Sequence, residues 1–181
     1  VTILVSPLSR VPEVIATRKP ARVISLLDPD MIFPETGPDY ADKHLRVEMH
    51  DITEAQEGWI APAEGHIDTL LKFIGDWDEK APILIHCYAG ISRSTATAFI
   101  TACMHNPGVD EMLIAQALRE ASPTATPNRR IVQLADLALG RKGRMLHAVE
   151  TIGRGAHWLE IGEAEPFALR SFYDPAQYAR Q

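Results

Sequence analysis

Apolar residues in this chain form short strand-like runs separated by segments with helical spacing. Thr2 to Val5 is a β-branched run, Val11 to Thr17 is a short helical candidate, and Arg22 to Leu27 is an apolar strand stopped by the turn Asp28-Pro29-Asp30. A looser stretch containing Pro34, Gly37 and Pro38 leads to His44 to Met49, where Leu45, Val47 and Met49 alternate as a half-buried strand requires. That strand ends at His50-Asp51. From Ala63 to Trp77 the residues Ile67, Leu70, Leu71 and Ile74 recur at helical spacing. Asp78 to Pro82 then turns the chain into Ile83 to Ile85, a run suited to burial on both faces. Ser92 to Met104, Val109 to Glu120 and Pro127 to Leu139 read as helices, the last with Pro127 suited to a first turn.

Strands alternating with helices predict an α/β fold of three layers, a central, mostly parallel sheet flanked by helices. Past Gly140 the pattern weakens. Met145, Leu146, Val149 and Ile152 suit one face of a helix, and Pro166 to Arg170 suits an extended segment. Roughly 40 residues rarely build a core of their own. The expectation is therefore one domain over 1–181, with its core at about 22–140 and 141–181 as an appendage packed on it.

Composition narrows the function. The chain has 181 residues, 46% apolar and 23% charged, enough for one globular domain with a sizeable core. A formal net charge of -6 supplies no overall basic field, so neither nucleic acid nor a membrane is expected as a partner. No apolar run approaches the roughly 18 residues of a membrane span, and Val1 to Val5 lacks the features of a leader, so the expected location is cytoplasmic. Cys87 and Cys103 are the only cysteines, too few for a disulfide scaffold and without the paired spacing of zinc sites.

The chemistry concentrates between Ile83 and Ser94. A buried strand runs into His86-Cys87-Tyr88-Ala89-Gly90-Ile91-Ser92-Arg93-Ser94 and then into a helix. Amides at a helix start have no intrahelical acceptors, and the helix dipole adds positive potential, so such a loop is an anion cradle. Tyr88, Ala89, Gly90, Ile91 and Ser92 would bind phosphate through the loop. Gly90 permits a conformation that a side chain hinders, and Arg93 can clamp two phosphate oxygens as lysine cannot. Cys87, at the strand end, faces whatever the loop encloses, and such positive surroundings favour a thiolate nucleophile. Ser94 can hydrogen-bond the sulfur and help it leave. Cys103, on the following helix, reads as core.

HCYAGISRS resembles the HCxxGxxR(S/T) signature of the cysteine-dependent protein tyrosine phosphatase superfamily, most closely its dual-specificity branch. The resemblance covers roughly Arg22 to Leu139, including Pro127-Asn128 and Gln133-Leu134, and leaves the tail after Gly140 outside it. It implies a protein tyrosine phosphatase-like fold, His86 as a support of the loop, and no cofactor or metal. It also implies phosphorylated protein or a small phosphomonoester as substrate. No lysine stands between Cys87 and Arg93, which disfavours a highly charged inositol substrate.

A departing alkoxide or phenoxide needs a proton, so a carboxylic acid must stand opposite the thiolate. In a parallel sheet it belongs just past a strand's C-terminal end, where Asp28, Asp30 and Asp51 qualify and Asp76 and Asp78 do not. The resemblance, which places the acid some thirty-odd residues before the cysteine, favours Asp51. His50 is assigned no role. Cys87 would then form a phosphocysteine, with Asp51 as general acid and afterwards as base. Two readings compete with this one: a catalytically silent module that binds phosphate or phosphoprotein, and a sulfurtransferase.

Overall fold

The computed structural model describes residues 1–156 and 162–178. Strands β1 (Thr2–Pro7), β2 (Arg22–Leu27), β3 (His44–Glu48), β4 (Ile83–Cys87) and β5 (Phe167–Arg170) form one five-stranded sheet in the order β3-β2-β4-β1-β5. The first four run parallel, and β5 is antiparallel to β1. The helices are α1 (Val11–Arg18), α2 (Glu64–Gly75), α3 (Arg93–His105), α4 (Glu111–Ala121), α5 (Arg129–Ala138), α6 (Arg144–Ile152) and a short α7 (Pro175–Tyr178).

Alternation along the strands sends side chains to two layers. Ile3, Val5, Ile24, Leu26, Ile83 and Ile85 face the large core built with α2 to α6. Leu4, Val23 and Leu84 face Val11 and Val14 of α1. β4 lies between β1 and β2 and is buried along its whole length, as its unbroken apolar run implies. The three-layer α/β arrangement is the one the sequence predicts. Among the described residues no helix is long and apolar enough to cross a membrane.

Both ends of the chain enter the sheet. β1 extends past Val5 because Ser6 and Pro7 pair with His86 and Cys87, so its end lies beside the start of the signature loop. Phe167–Arg170, recognisable in the sequence only as extended, becomes the edge strand through pairing with β1. α6 packs on α4 and α5. Asp136 of α5 secures its start by accepting hydrogen bonds from the amides of Gly143 (2.6 Å) and Met145 (2.7 Å).

Candidate active site

Because β1, β2, β3 and β4 are parallel, their C-terminal ends share one edge, where Cys87 ends β4 and the segments that follow β2 and β3 carry Asp28 and Asp51. Cys87 is the last residue of β4, and Arg93 is the first residue of α3. Between them, Gly90 has φ +72°, and a Cβ there would approach Pro7 N to 2.9 Å, so only glycine fits against the end of β1.

The loop carbonyls are held from outside. The Tyr88 carbonyl accepts from Leu8 N–H at 3.0 Å and that of Ala89 from Ala164 N–H at 2.8 Å. Ile91 accepts from Thr126 N–H at 2.9 Å, and Ser92 from Asn128 N–H at 3.3 Å. The Thr95 hydroxyl donates to the last two carbonyls as well. In a trans peptide the N–H points opposite to the C=O. The N–H groups of Ala89, Gly90, Ser92 and Arg93 are therefore turned toward the hollow of the loop. No backbone amide of Ala89 to Ser92 donates to an acceptor among the described residues. Tyr88 is exposed at the rim and Ile91 is buried beneath it.

Arg93 is 4% exposed. Its Nη1 donates to Asp28 Oδ1 at 2.5 Å and to the Met49 carbonyl at 2.6 Å, which anchors the guanidinium between the ends of β2 and β3. Its Nε is buried without an acceptor. An unsatisfied buried donor costs about 1–3 kcal/mol, more when charged, and an oxyanion in the hollow would remove that penalty. Cys87 Sγ lies 3.1 Å from Ser94 Oγ, within reach for the hydroxyl to donate to a thiolate.

The three candidate acids differ in their surroundings. Asp28 is committed to Arg93, and Asp30 is exposed in the turn beyond it. Asp51 reaches the loop. Its Oδ1 accepts from Ser92 Oγ and from Asn128 Nδ2, both at 2.7 Å, and both bonds fall on one oxygen. Asn128 also caps α5 by accepting from Ile131 N–H, so one side chain joins the acid, the loop and a helix start. His50 is structural here. Its N–H donates to the Ile60 carbonyl, its Nδ1 accepts from Ile60 N–H at 2.9 Å, and its ring lies 4.6 Å from that of Trp59, which closes the segment carrying Asp51.

His86 is buried one residue before the end of β4. Its Nδ1 faces the Cys87 carbonyl at 3.4 Å, and a carbonyl can only accept, so this nitrogen carries the proton. Nε2 then accepts from Ser25 Oγ at 2.5 Å, Ser25 accepts from His44 Nε2 at 2.7 Å, and His44 Nδ1 accepts from Thr36 Oγ1 at 3.2 Å. In this arrangement the chain of donors runs one way, with both histidines neutral. Burial pushes His86 down to about 4, with smaller effects from His44 and Arg93, and burial with the Arg46 charge pushes His44 to about 4.

A pH dependence follows. Unfolded histidines take up protons below about 6.5, whereas the folded ones stay neutral until about 4, so falling pH favours the unfolded state across that window. Stability is full above about pH 6.5 and declines toward pH 4, by about 3 kcal/mol for His86 and by less for half-exposed His44. Urea midpoints at pH 7.5 and 4.5 should show the decline, and it should be shallower in His44→Gln.

Several of these residues escape a reading of the sequence. Asn128 carries one signal, a capping residue after Pro127 and before a helical run. Ser25 carries a weaker one, a polar residue inside an otherwise apolar strand, in register with His86. Nothing in the sequence marks Ala164.

Neither a family model nor a curated protein matches the sequence. Solved structures do match. The chain is similar to DUSP15 (TM-score 0.58, 20% identity, covering 81% of this chain and 89% of that one). It is also similar to the human tyrosine phosphatase-like serine/threonine/tyrosine-interacting protein (0.58, 18%, 76% and 91%) and to PTPMT1 in complex with PI(5)P (0.59, 13%, 77% and 91%). The chain shares the fold of these structures. Their phosphatase and phosphatase-like names agree with the superfamily whose signature the Ile83 to Ser94 segment resembles.

Proposed function

We propose that this chain is a cysteine-dependent phosphomonoester hydrolase of the protein tyrosine or dual-specificity type. The observation that carries the reading is the hollow of the loop. Arg93 keeps a buried donor without an acceptor, the amides of Ala89 to Ser92 donate to no acceptor among the described residues, and the Cys87 thiol lies beside the Ser94 hydroxyl, a set of donors that suits a bound oxyanion.

In the first step the Cys87 thiolate attacks phosphorus in line. The bond from phosphorus to the leaving oxygen breaks, and Asp51 gives that oxygen its proton. Ser92 and Asn128 occupy Oδ1, so Oδ2 is the oxygen that carries the proton. In the second step water attacks the phosphocysteine, Asp51 takes the proton from the water, and the S–P bond breaks. The sulfur leaves as a thiolate stabilised by the Ser94 hydroxyl. Arg93 and the loop amides of Tyr88 to Ser92 hold the equatorial oxygens throughout, and electrostatic stabilisation of that charge is the principal demand of phosphoryl transfer. His86 keeps the Cys87 carbonyl in place. Asp28 acts through Arg93 as a positioning residue. No step calls on a metal or cofactor.

A groove of about 740 Å³ is lined by Asp51, Ser92, Ile91, Pro127, Arg129 and Glu150, among others. It begins at the acid, on the leaving-group side, and offers room for the body of a phosphorylated side chain. Phosphoprotein is accordingly the preferred substrate class. The likeness to PTPMT1, which was solved in complex with PI(5)P, keeps a non-protein phosphomonoester as the alternative.

The test is hydrolysis of an aryl phosphate, with a chelator present, by wild type beside Cys87→Ser. Release by wild type alone is the expected result. A wild type that binds phosphate or vanadate without turnover points to the silent binding module. Sulfur transfer from thiosulfate without phosphate release points to a sulfurtransferase.

A further inference from the structure

The phosphate loop is braced by a segment remote from its own strand and helix. Residues 162–165, which lead into β5, lie against it. Ala164 is 5% exposed and donates its N–H to the Ala89 carbonyl at 2.8 Å. On either side of it, two acidic residues tie the segment to the turn after β1. The Ser9 hydroxyl meets the Glu163 carboxylate at 2.9 Å, and Arg10 Nη1 meets Glu165 at 3.2 Å. The same turn supplies Leu8 N–H to the Tyr88 carbonyl. β5 then fixes the far end of the segment to β1, with Phe167 opposite Val5. The end of β1 and this strap thus form one unit that holds both carbonyls at the start of the loop.

Those carbonyls decide where two amides point. The Tyr88–Ala89 peptide, held by Leu8, turns the Ala89 N–H inward, and the Ala89–Gly90 peptide, held by Ala164, turns the Gly90 N–H inward. The second peptide is the freer of the two, because Gly90 lacks the side chain that restricts rotation. Without the Ala164 donor that peptide can flip, which withdraws a donor from the hollow and presents a carbonyl oxygen to an anion.

We infer that Ala164 is a positioning residue whose backbone N–H holds the Ala89–Gly90 peptide in the anion-binding orientation, making the C-terminal strap part of the phosphate-binding apparatus. The inference rests on the phosphate-binding function proposed above. It extends that function to a segment outside the stretch whose sequence resembles the phosphatase superfamily.

Replacing residue 164 by lactate in the full chain exchanges the amide for an ester and removes the N–H donor while keeping the methyl side chain. Vanadate affinity and kcat and KM on an aryl phosphate are the readouts, with the thermal midpoint followed in parallel. The ester protein should bind vanadate about tenfold more weakly and lose kcat to a similar degree. The double variant Ser9→Ala, Glu163→Gln unhooks the strap without touching the amide and should weaken vanadate binding about threefold. It keeps the test decisive where the ester protein folds poorly. Unchanged vanadate affinity in the folded variants overturns the inference, even with a lowered thermal midpoint. A wild type that neither binds vanadate nor turns over defeats the functional proposal, and this inference with it. An active wild type matched by its strap variants defeats this inference alone.

Discussion

Cys87→Ser is expected to lose aryl phosphatase activity by a factor on the order of 10⁴ or more while keeping its affinity for phosphate within a few fold. The two halves of this result have different physical sources. Turnover needs a polarisable anion at the end of β4 that can attack phosphorus and later depart, and a serine hydroxyl remains protonated at neutral pH and leaves poorly. Binding draws on Arg93 and on amides whose directions are set by Leu8, Ala164, Thr126 and Asn128, none of which involves the sulfur. Serine is close to cysteine in size, so the buried end of β4 keeps its packing. Isothermal titration with phosphate beside the rate assay measures both halves. Loss of binding along with turnover would mean that the substitution had collapsed the loop, and retained turnover would remove Cys87 from the chemistry.

The parts of this site legible in the sequence are those whose members are neighbours in the chain. Cys87, Gly90, Arg93 and Ser94 lie within one strand-loop-helix segment, so the apolar run before it and the helical spacing after it suffice to place them. Asp51 is legible at one remove, because a parallel sheet gathers its strand ends on one edge, although Asp28 and Asp30 satisfy the same rule. The resemblance favours Asp51 by its distance from the cysteine, and the difference in their surroundings is tertiary. Asp28 bonds to a guanidinium 65 residues away and Asp51 to an amide side chain 77 residues away, and no local pattern encodes either pairing. The His86–Ser25–His44 chain is hidden for the same reason, since register between strands brings it together. Ala164 is the extreme case. It contributes a backbone N–H, which every residue but proline supplies, so its identity carries no trace of its place. β5 is faint because four edge residues, FALR, show too little alternation to stand out.

Asp51→Asn should lower kcat by about 10²- to 10⁴-fold on a phosphate ester with a poor leaving group, such as an alkyl or unsubstituted phenyl phosphate, and far less on a nitrophenyl phosphate. The dependence on leaving group is what identifies an acid. A nitrophenolate departs without a proton, so deleting the proton donor matters little, whereas an alkoxide departs only as the alcohol. Asparagine keeps an oxygen that can accept from Ser92 and Asn128, so the loop loses little of its support. Asp28→Asn should behave differently. It removes the charge that fixes Arg93 Nη1 and leaves a neutral amide oxygen as the acceptor beside the Met49 carbonyl, so its penalty falls on phosphate affinity and is nearly the same for every leaving group. Steady-state kinetics of both variants on a series of aryl phosphates therefore gives two slopes. A leaving-group slope that steepens in Asp51→Asn and stays at the wild-type value in Asp28→Asn assigns proton transfer to Asp51 and positioning to Asp28. The reverse pattern would exchange the two roles, and the hydrogen bonds that Asp51 accepts from Ser92 and Asn128 would then serve only to hold the loop.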